Sequence, residues 1–131
     1  MIDLHNKSVL VIDDDTRMLR ALEKVLASEG ASVKSVERAA DALETLTGQK
    51  NKMDLVITDL RMPFVTGITV VQAIHQAFPA LPIIVLTAFG SPYVRGECLR
   101  LGAVGFLEKP LNTPQLLDAI ESAFVAQPAK N

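Results

Sequence analysis

An apolar run ends in two acidic residues at Val9-Leu10-Val11-Ile12-Asp13-Asp14. Three later runs of similar length also lead to a polar residue that phosphate chemistry can use: Asp59 after residues 55–58, Thr87 after residues 83–86, and Lys109 after residues 104–107. Short, continuous apolar runs are typical of strands that are buried on both faces of a parallel sheet. If the four runs are neighbouring strands, their carboxyl ends share one edge of the sheet. The acids, the hydroxyl and the ammonium would then meet in a single crevice.

Segments with helical periodicity alternate with these runs. Gly30 and Gly102 mark the expected ends of two helices, because glycine readily adopts the left-handed conformation found there. Ser91-Pro92 and Thr113-Pro114 each predict an N-cap followed by proline at the first helical position. A more polar strand at residues 31–36 is expected at a less buried edge. Five strand and helix pairs result, which predicts an α/β fold with a parallel sheet and helices on both faces.

Length and composition limit the possible classes of protein. The chain has 131 residues, of which 49% are hydrophobic, and this favours one domain with a substantial core. We expect a single domain over residues 1–131, with a core at 7–125 and a short tail at 126–131. A net charge of -2 argues against a broad electrostatic surface for nucleic acid or anionic membranes.

The location of the protein is also predicted from its composition. Cys98 is the single cysteine, so an internal disulfide is excluded and a reducing compartment is favoured. The first residues lack the pattern of a signal peptide, and no apolar stretch approaches the roughly 20 residues that span a bilayer. We expect a soluble, cytoplasmic protein.

The four strand-end sites suit phosphoryl transfer with a divalent cation. Mg2+ takes oxygen ligands in octahedral geometry, so Asp13, Asp14 and a backbone carbonyl can form part of its cage. Crowded acids raise one another's pKa unless a cation compensates them, which calls for a metal or for Lys109. Asp59 is the candidate nucleophile, because a carboxylate can attack phosphorus to give a mixed anhydride. Lys109 would then contact the phosphoryl oxygens as a point charge, and Thr87 would donate a hydrogen bond.

Four motifs, taken together, resemble the response regulator receiver domain, the phosphorylatable module of two-component signalling. The motifs are residues 11–15 (VIDDD), residues 59–63 (DLRMP) with Gly67 following, residues 86–88 (LTA) and residues 105–110 (GFLEKP). Any one of them alone is a weak signal, but all four in order are highly specific. The resemblance covers residues 7–125, which is nearly the whole chain.

The resemblance implies a flavodoxin-like fold whose five strands have the order 2-1-3-4-5. It implies that a histidine kinase or a histidine phosphotransfer protein donates a phosphoryl group to Asp59. It also implies that Asp14, Asp59 and the backbone carbonyl of Arg61 hold Mg2+, with Asp13 helping through water.

The resemblance further implies a switch. Thr87 and Lys109 contact the phosphoryl group, Thr87 moves toward it, and Phe106 swings into the space that Thr87 leaves. The face formed by the fourth helix, the last strand and the last helix then changes for partner proteins. The Lys109-Pro110 peptide is expected to be cis. Such a protein is no turnover enzyme, since it only takes a phosphoryl group from a donor and loses it slowly.

Other functions and roles stay open at this point. A pseudo-receiver would have the same fold without phosphorylation, although the intact acids, Thr87 and Lys109 argue against it. A haloacid-dehalogenase-type phosphatase also uses paired aspartates, but Arg17 stands where that family has a hydrophobic residue or threonine. A nucleotide-binding protein is disfavoured because no glycine-rich turn follows the first strand. Phe106 and Cys98 are also compatible with simple core packing.

The downstream partner is not visible in these residues. The chain is either a stand-alone receiver that acts through protein contact or one domain of a longer regulator with a fused output domain, and we expect the second. A phosphorylation-dependent dimer is compatible with the resemblance, and direct nucleic-acid binding by this domain is not expected.

Overall fold

The computed structural model describes residues 2–48, 52–62 and 65–126. It is an α/β fold in which strands and helices alternate. The strands of the main sheet are β1 (Ser8–Ile12), β2 (Ser32–Val36), β3 (Leu55–Thr58), β4 (Ile83–Thr87) and β5 (Gly105–Glu108). The helices are α1 (Thr16–Ser28), α2 (Ala39–Thr47), α3 (Gly67–Ala77), α4 (Pro92–Arg100) and α5 (Thr113–Val125).

All neighbouring strands of the sheet pair in parallel, in the order β2-β1-β3-β4-β5. The predicted order 2-1-3-4-5 is therefore confirmed. The strand order reverses between β1 and β3. The helices that follow these two strands, α1 and α3, pack on opposite faces of the sheet, which leaves a crevice at the carboxyl ends of both strands. In open sheets of this kind, such a switch point is where ligands bind.

Strand alternation divides the core into two layers. Leu10, Ile12 and Val56 face the layer that contains α2, α3 and α4, whereas Val9 and Val11 face the layer that contains α1 and α5. Successive side chains of a strand point to opposite faces, so each central strand has to be apolar at every position. Burial of each such side chain contributes roughly 1.5–3 kcal/mol, and this two-sided burial holds the strand ends in place.

The edge strand β2 is the most exposed strand of the sheet, as its polar residues predicted. Positive φ angles at Gly30 and Gly102 confirm the predicted helix ends. Cys98 is fully buried among apolar residues, in agreement with a packing role. Within the described residues, no helix is both long enough and apolar enough to cross a membrane.

The helix caps agree with the sequence in one case and differ by one residue in another. Ser91 caps α4 by accepting the amide N–H of Val94, as predicted. For α5, Thr113 was expected to be the cap, but the carboxamide of Asn112 accepts the N–H of Gln115 at 2.9 Å. The prediction for Thr113 was wrong, because two adjacent residues could each act as a cap.

Proline then occupies the second position of α5, where no intrahelical N–H bond is lost. Most of the predicted tail, residues 127–131, lies outside the described residues.

Candidate functional site

The site residues are held by the backbone at the carboxyl ends of the strands. The N–H of Asp13 donates to Val36 O, and the N–H of Asp59 donates to Ile12 O, so both acids continue the parallel ladder beyond the strands. The N–H of Lys109 donates to Thr87 O at 2.8 Å. The parallel sheet thus brings together groups that are up to 96 residues apart in the chain.

Three carboxylates form a cluster at this edge. Asp13, Asp14 and Asp59 each offer an oxygen atom, and these three atoms lie within 4.8 Å of one another. Asp13 and Asp59 are buried, whereas Asp14 is exposed and opens the cluster to solvent. Mg2+ is a hard cation that binds oxygen ligands and keeps several of its waters. Two buried carboxylates and one solvent-accessible carboxylate fit such a cation.

Lys109 bridges the two buried acids. Its Nζ donates to Asp13 Oδ2 at 2.8 Å and to Asp59 Oδ2 at 3.3 Å. Burial alone would lower the pKa of Lys109, but the hydrogen bond to Asp13 and the charges of Asp13 and Asp59 together hold it above its usual value. With three carboxylates (-3) and one ammonium (+1), the formal charge of the pocket is -2.

The pKa of Asp13 reflects both its burial and its charged neighbours. Burial raises the pKa of the Asp13 carboxyl, and the hydrogen bonds from Lys109 Nζ and the Asp15 N–H only partly oppose that effect. The nearby charge of Asp59 acts in the same direction as burial. A divalent cation would match the remaining charge of the pocket.

The two oxygens of Asp59 have different surroundings. Oδ1 accepts the N–H of Leu60 at 2.7 Å, whereas Oδ2 faces Lys109. The residue before it, Thr58, is fully buried and donates its hydroxyl to Asp59 O at 2.9 Å. Sequence reasoning missed this role of Thr58; a hydroxyl at the end of a buried strand was the available signal.

Thr87 ends β4 and is fully buried. Its Oγ1 accepts the N–H of Phe89 at 3.1 Å. Phe106 pairs in register with Val85, two residues before Thr87, so it lies on the same face of the sheet as Thr87. It is half-buried and packs against the core layer of α2, α3 and α4. Thr87 and Phe106 therefore lie on the same face of two adjacent strands, an arrangement that the predicted switch requires.

The remaining residues named from the sequence lie close to this edge. Arg61 follows Asp59 by two residues and begins a two-residue antiparallel ladder, Arg61–Met62 with Val65–Thr66. The Lys109-Pro110 peptide is cis, as expected. Phe89 was not named from the sequence, although its ring lies beneath the Arg61 guanidinium. An aromatic residue two positions after Thr87 was the only signal for it.

Comparison with known proteins agrees with the geometry of the site. The family model for the response regulator receiver domain matches residues 9–121. The transcriptional regulatory protein GlrR of Escherichia coli is 38% identical over 115 residues, which are 88% of this chain and 26% of GlrR. The chain thus spans about a quarter of the length of the curated relatives it matches.

Solved structures show the same fold. The chemotaxis protein CheY4 of Vibrio cholerae is 30% identical, with a TM-score of 0.82, and the match covers 89% of this chain and 98% of that one. A CheX-CheY-BeF3-Mg complex from Borrelia burgdorferi contains a chain that is 27% identical, with a TM-score of 0.85 and coverage of 90% and 89%.

Proposed function

This chain belongs to the response regulator receiver domains, and we propose that it accepts a phosphoryl group on Asp59 and uses it to switch a protein-binding face. The observation that carries the proposal is the contact of one ammonium, Lys109 Nζ, with Asp13 at 2.8 Å and Asp59 at 3.3 Å. Three carboxylate oxygens within 4.8 Å of one another complete the pocket. A cluster of acids without this role would not be expected to hold a buried ammonium between two of its carboxylates.

Asp59 Oδ2 is the attacking oxygen, because it faces Lys109 Nζ at 3.3 Å, whereas Oδ1 accepts the shorter bond from the Leu60 N–H at 2.7 Å. The donor is the phosphohistidine of a histidine kinase or of a histidine phosphotransfer protein. As the bond from Asp59 Oδ2 to phosphorus forms, the phosphorus–nitrogen bond of the donor breaks, and its electron pair stays on the imidazole. Lys109, already beside Oδ2, contacts the transferred group and stabilises its charge.

Asp13, Asp14 and Asp59, with the backbone carbonyl of Arg61, are the groups that hold Mg2+. When bound, the cation offsets the negative charge of the phosphoryl oxygens during transfer. Asp13 and Asp59 are buried and would fix the cation at this edge of the sheet, and the exposure of Asp14 would leave room for its waters. Asp13, which is engaged with Lys109, acts on the metal through water.

Thr87 responds to phosphorylation of Asp59. The phosphoryl group carries about -1.5 to -2 charge and strong acceptor oxygens, and the Thr87 hydroxyl moves toward them to donate a hydrogen bond. Phe106, on the same sheet face, takes the space that Thr87 leaves. The face formed by α4, β5 and α5 changes with it, and a partner that prefers the changed face shifts the equilibrium between the two packings.

We also propose the extent, the cellular location and the output of the domain. Residues 7–125 form the receiver core, and the length of the curated relatives supports a fused output domain or effector protein downstream. We place the protein in the cytoplasm, where two-component kinases present their phosphohistidine, and we assign it no turnover beyond slow loss of its own phosphoryl group. A phosphorylation-dependent dimer is one form that the output could take.

Phosphorylation by acetyl phosphate in the presence of Mg2+ tests the assignment, with intact mass as the readout. The wild-type chain is expected to gain one phosphoryl group, and Asp59→Asn none. Asp15→Asn is the matched control, because Asp15 lies next to the cluster but caps α1 through the Arg17 N–H.

Undiminished incorporation in Asp59→Asn would overturn the choice of Asp59. An unmodified wild-type chain would instead favour the pseudo-receiver alternative. Steady hydrolysis of small phosphate esters over many turnovers would favour the phosphatase.

A further inference from the structure

Arg61 and Phe89 make a contact between the two loops that carry the chemistry. The guanidinium carbon of Arg61 lies 4.8 Å from the centroid of the Phe89 ring, within the roughly 6 Å range of cation–π attraction. Arg61 belongs to the segment after β3, which carries Asp59, and Phe89 belongs to the loop that follows Thr87 at the end of β4. The contact therefore joins the phosphorylation loop to the switch loop.

The stack is not part of a packed core. Phe89 is 53% exposed, and the two side chains border a cavity of about 440 Å3 that Leu60, Ile68 and Val94 also line. Close packing does not fix the Phe89 ring at this cavity. The contact of the ring with the Arg61 guanidinium therefore contributes more to holding the loop in place than it would in a packed core.

Phe89 is also tied directly to Thr87. The N–H of Phe89 donates to Thr87 Oγ1 at 3.1 Å, while Thr87 O accepts the N–H of Lys109. The backbone of Thr87 is thus anchored, and its hydroxyl is held toward its own loop. A move of this hydroxyl toward Asp59 has to break the bond from the Phe89 N–H.

We infer that the Arg61–Phe89 stack is a latch that holds the Thr87 hydroxyl in its resting position. Arg61 and Phe89 act as positioning residues through the loop, and their side chains take no part in the transfer itself. An exposed cation–π pair is worth roughly 0.5–1 kcal/mol, which corresponds to a two- to five-fold bias toward the latched loop. The consequence for switching rests on the proposed function, whereas the latch can be measured without it.

Hydrogen exchange of the residue 89 amide, followed by NMR on the metal-free full chain, measures the latch. Arg61→Gln and Phe89→Leu are each expected to speed this exchange two- to five-fold, after correction for intrinsic rates. The double variant should exchange no faster than the faster single variant. Arg61→Lys and Phe89→Tyr keep a cation and a ring and should stay near the wild-type rate.

Thr87→Val provides the matched control, because it removes the acceptor of the residue 89 N–H. In that background Arg61→Gln should have no further effect on the residue 89 amide. Unchanged exchange in both single variants, or additive effects in the double variant, would overturn the latch.

Calorimetric titration with beryllofluoride and Mg2+ then measures the consequence for the switch. Phe89→Leu is the informative variant, since it retains the Arg61 charge, and it should bind beryllofluoride two- to five-fold more tightly than the wild type. Unchanged affinity in a variant whose amide exchange has risen would overturn the link to switching. If beryllofluoride fails to bind the wild type, the assignment of Asp59 fails, and the exchange data still decide whether the latch exists.

Discussion

Replacing Lys109 by methionine tests whether the ammonium holds the acidic pocket together. Among the described residues, Lys109 is the cation paired with both Asp13 and Asp59. With an effective dielectric constant of about 20, its attraction across 2.8 Å and 3.3 Å is about 6 and about 5 kcal/mol. Most of this gross energy is offset by the desolvation of the buried charges. Methionine has a similar length and leaves the acids without a partner.

Removal of one partner from a buried ion pair costs about 3–5 kcal/mol. We expect the lower value, about 3 kcal/mol, because the pKa of Asp13 is already raised by burial and its carboxyl can take up a proton. For a domain of this size, a loss of about 3 kcal/mol lowers the melting temperature by about 12 °C. Asp13→Asn in the Lys109→Met background should restore part of the stability, with a coupling energy of about 2 kcal/mol.

Urea unfolding followed by circular dichroism, with chelator present to exclude metal, gives the four free energies of this cycle. Arg100→Met is the control: Arg100 pairs with Glu97 at 2.7 Å but is largely exposed, so its unfolding midpoint should barely change. The reasoning is refuted if Lys109→Met is as stable as the wild type, or if Asp13→Asn restores nothing in the double variant.

Three further predictions concern stability. Because the pKa of Lys109 is raised in the folded state, its contribution to the free energy of unfolding is present below the usual pKa of 10.5 and is lost as pH rises through the folded-state pKa. The Lys109→Met variant should lack this loss in alkaline unfolding. Parallel curves of stability against pH for the wild type and the variant would contradict the prediction. Gly67→Ala should cost about 3 kcal/mol, because a Cβ there would overlap the backbone of Leu60; a stable alanine variant in urea would exclude this close approach. Asn112→Ala should cost about 1 kcal/mol, since it removes the acceptor of the Gln115 N–H; Asn112→Ser should recover most of it, and equal midpoints would argue against the cap.

The sheet and the site could be predicted from the sequence for one physical reason. Strands β1, β3 and β4 are buried on both faces, so their sequences are short, uninterrupted apolar runs whose ends are sharply marked. In a parallel sheet all carboxyl ends lie at one edge, so the polar residues just after each run had to fall there. Asp13, Asp59, Thr87 and Lys109 were therefore expected to lie together without any knowledge of the loops.

Loop geometry did not follow from the same pattern. The Arg61–Phe89 stack depends on how two loops approach each other, and neither strand nor helix periodicity describes that approach. The displaced cap of α5 has another cause: Asn112 and Thr113 are both good cap residues, and only the backbone decides between them. The hydrogen bond of Thr58 did not follow from the strand pattern either, because its hydroxyl pairs locally, with the carbonyl of Asp59.

The charge of the pocket connects its stability with its proposed function. Three carboxylates and one ammonium leave a formal charge of -2, and burial together with the charge of Asp59 raises the pKa of Asp13. A divalent cation that binds only the folded state would stabilise it by about 2.7 kcal/mol at a concentration 100 times its Kd. A phosphoryl group on Asp59 carries about -1.5 to -2 charge in place of the single charge of the carboxylate, so the pocket again has an excess of negative charge. Lys109 and the Thr87 hydroxyl are the donors for that charge. Lys109 already contacts Asp59 Oδ2, whereas the Thr87 hydroxyl has to turn away from the Phe89 N–H to reach it. The charge that makes the pocket a cation site therefore also directs the response through Thr87.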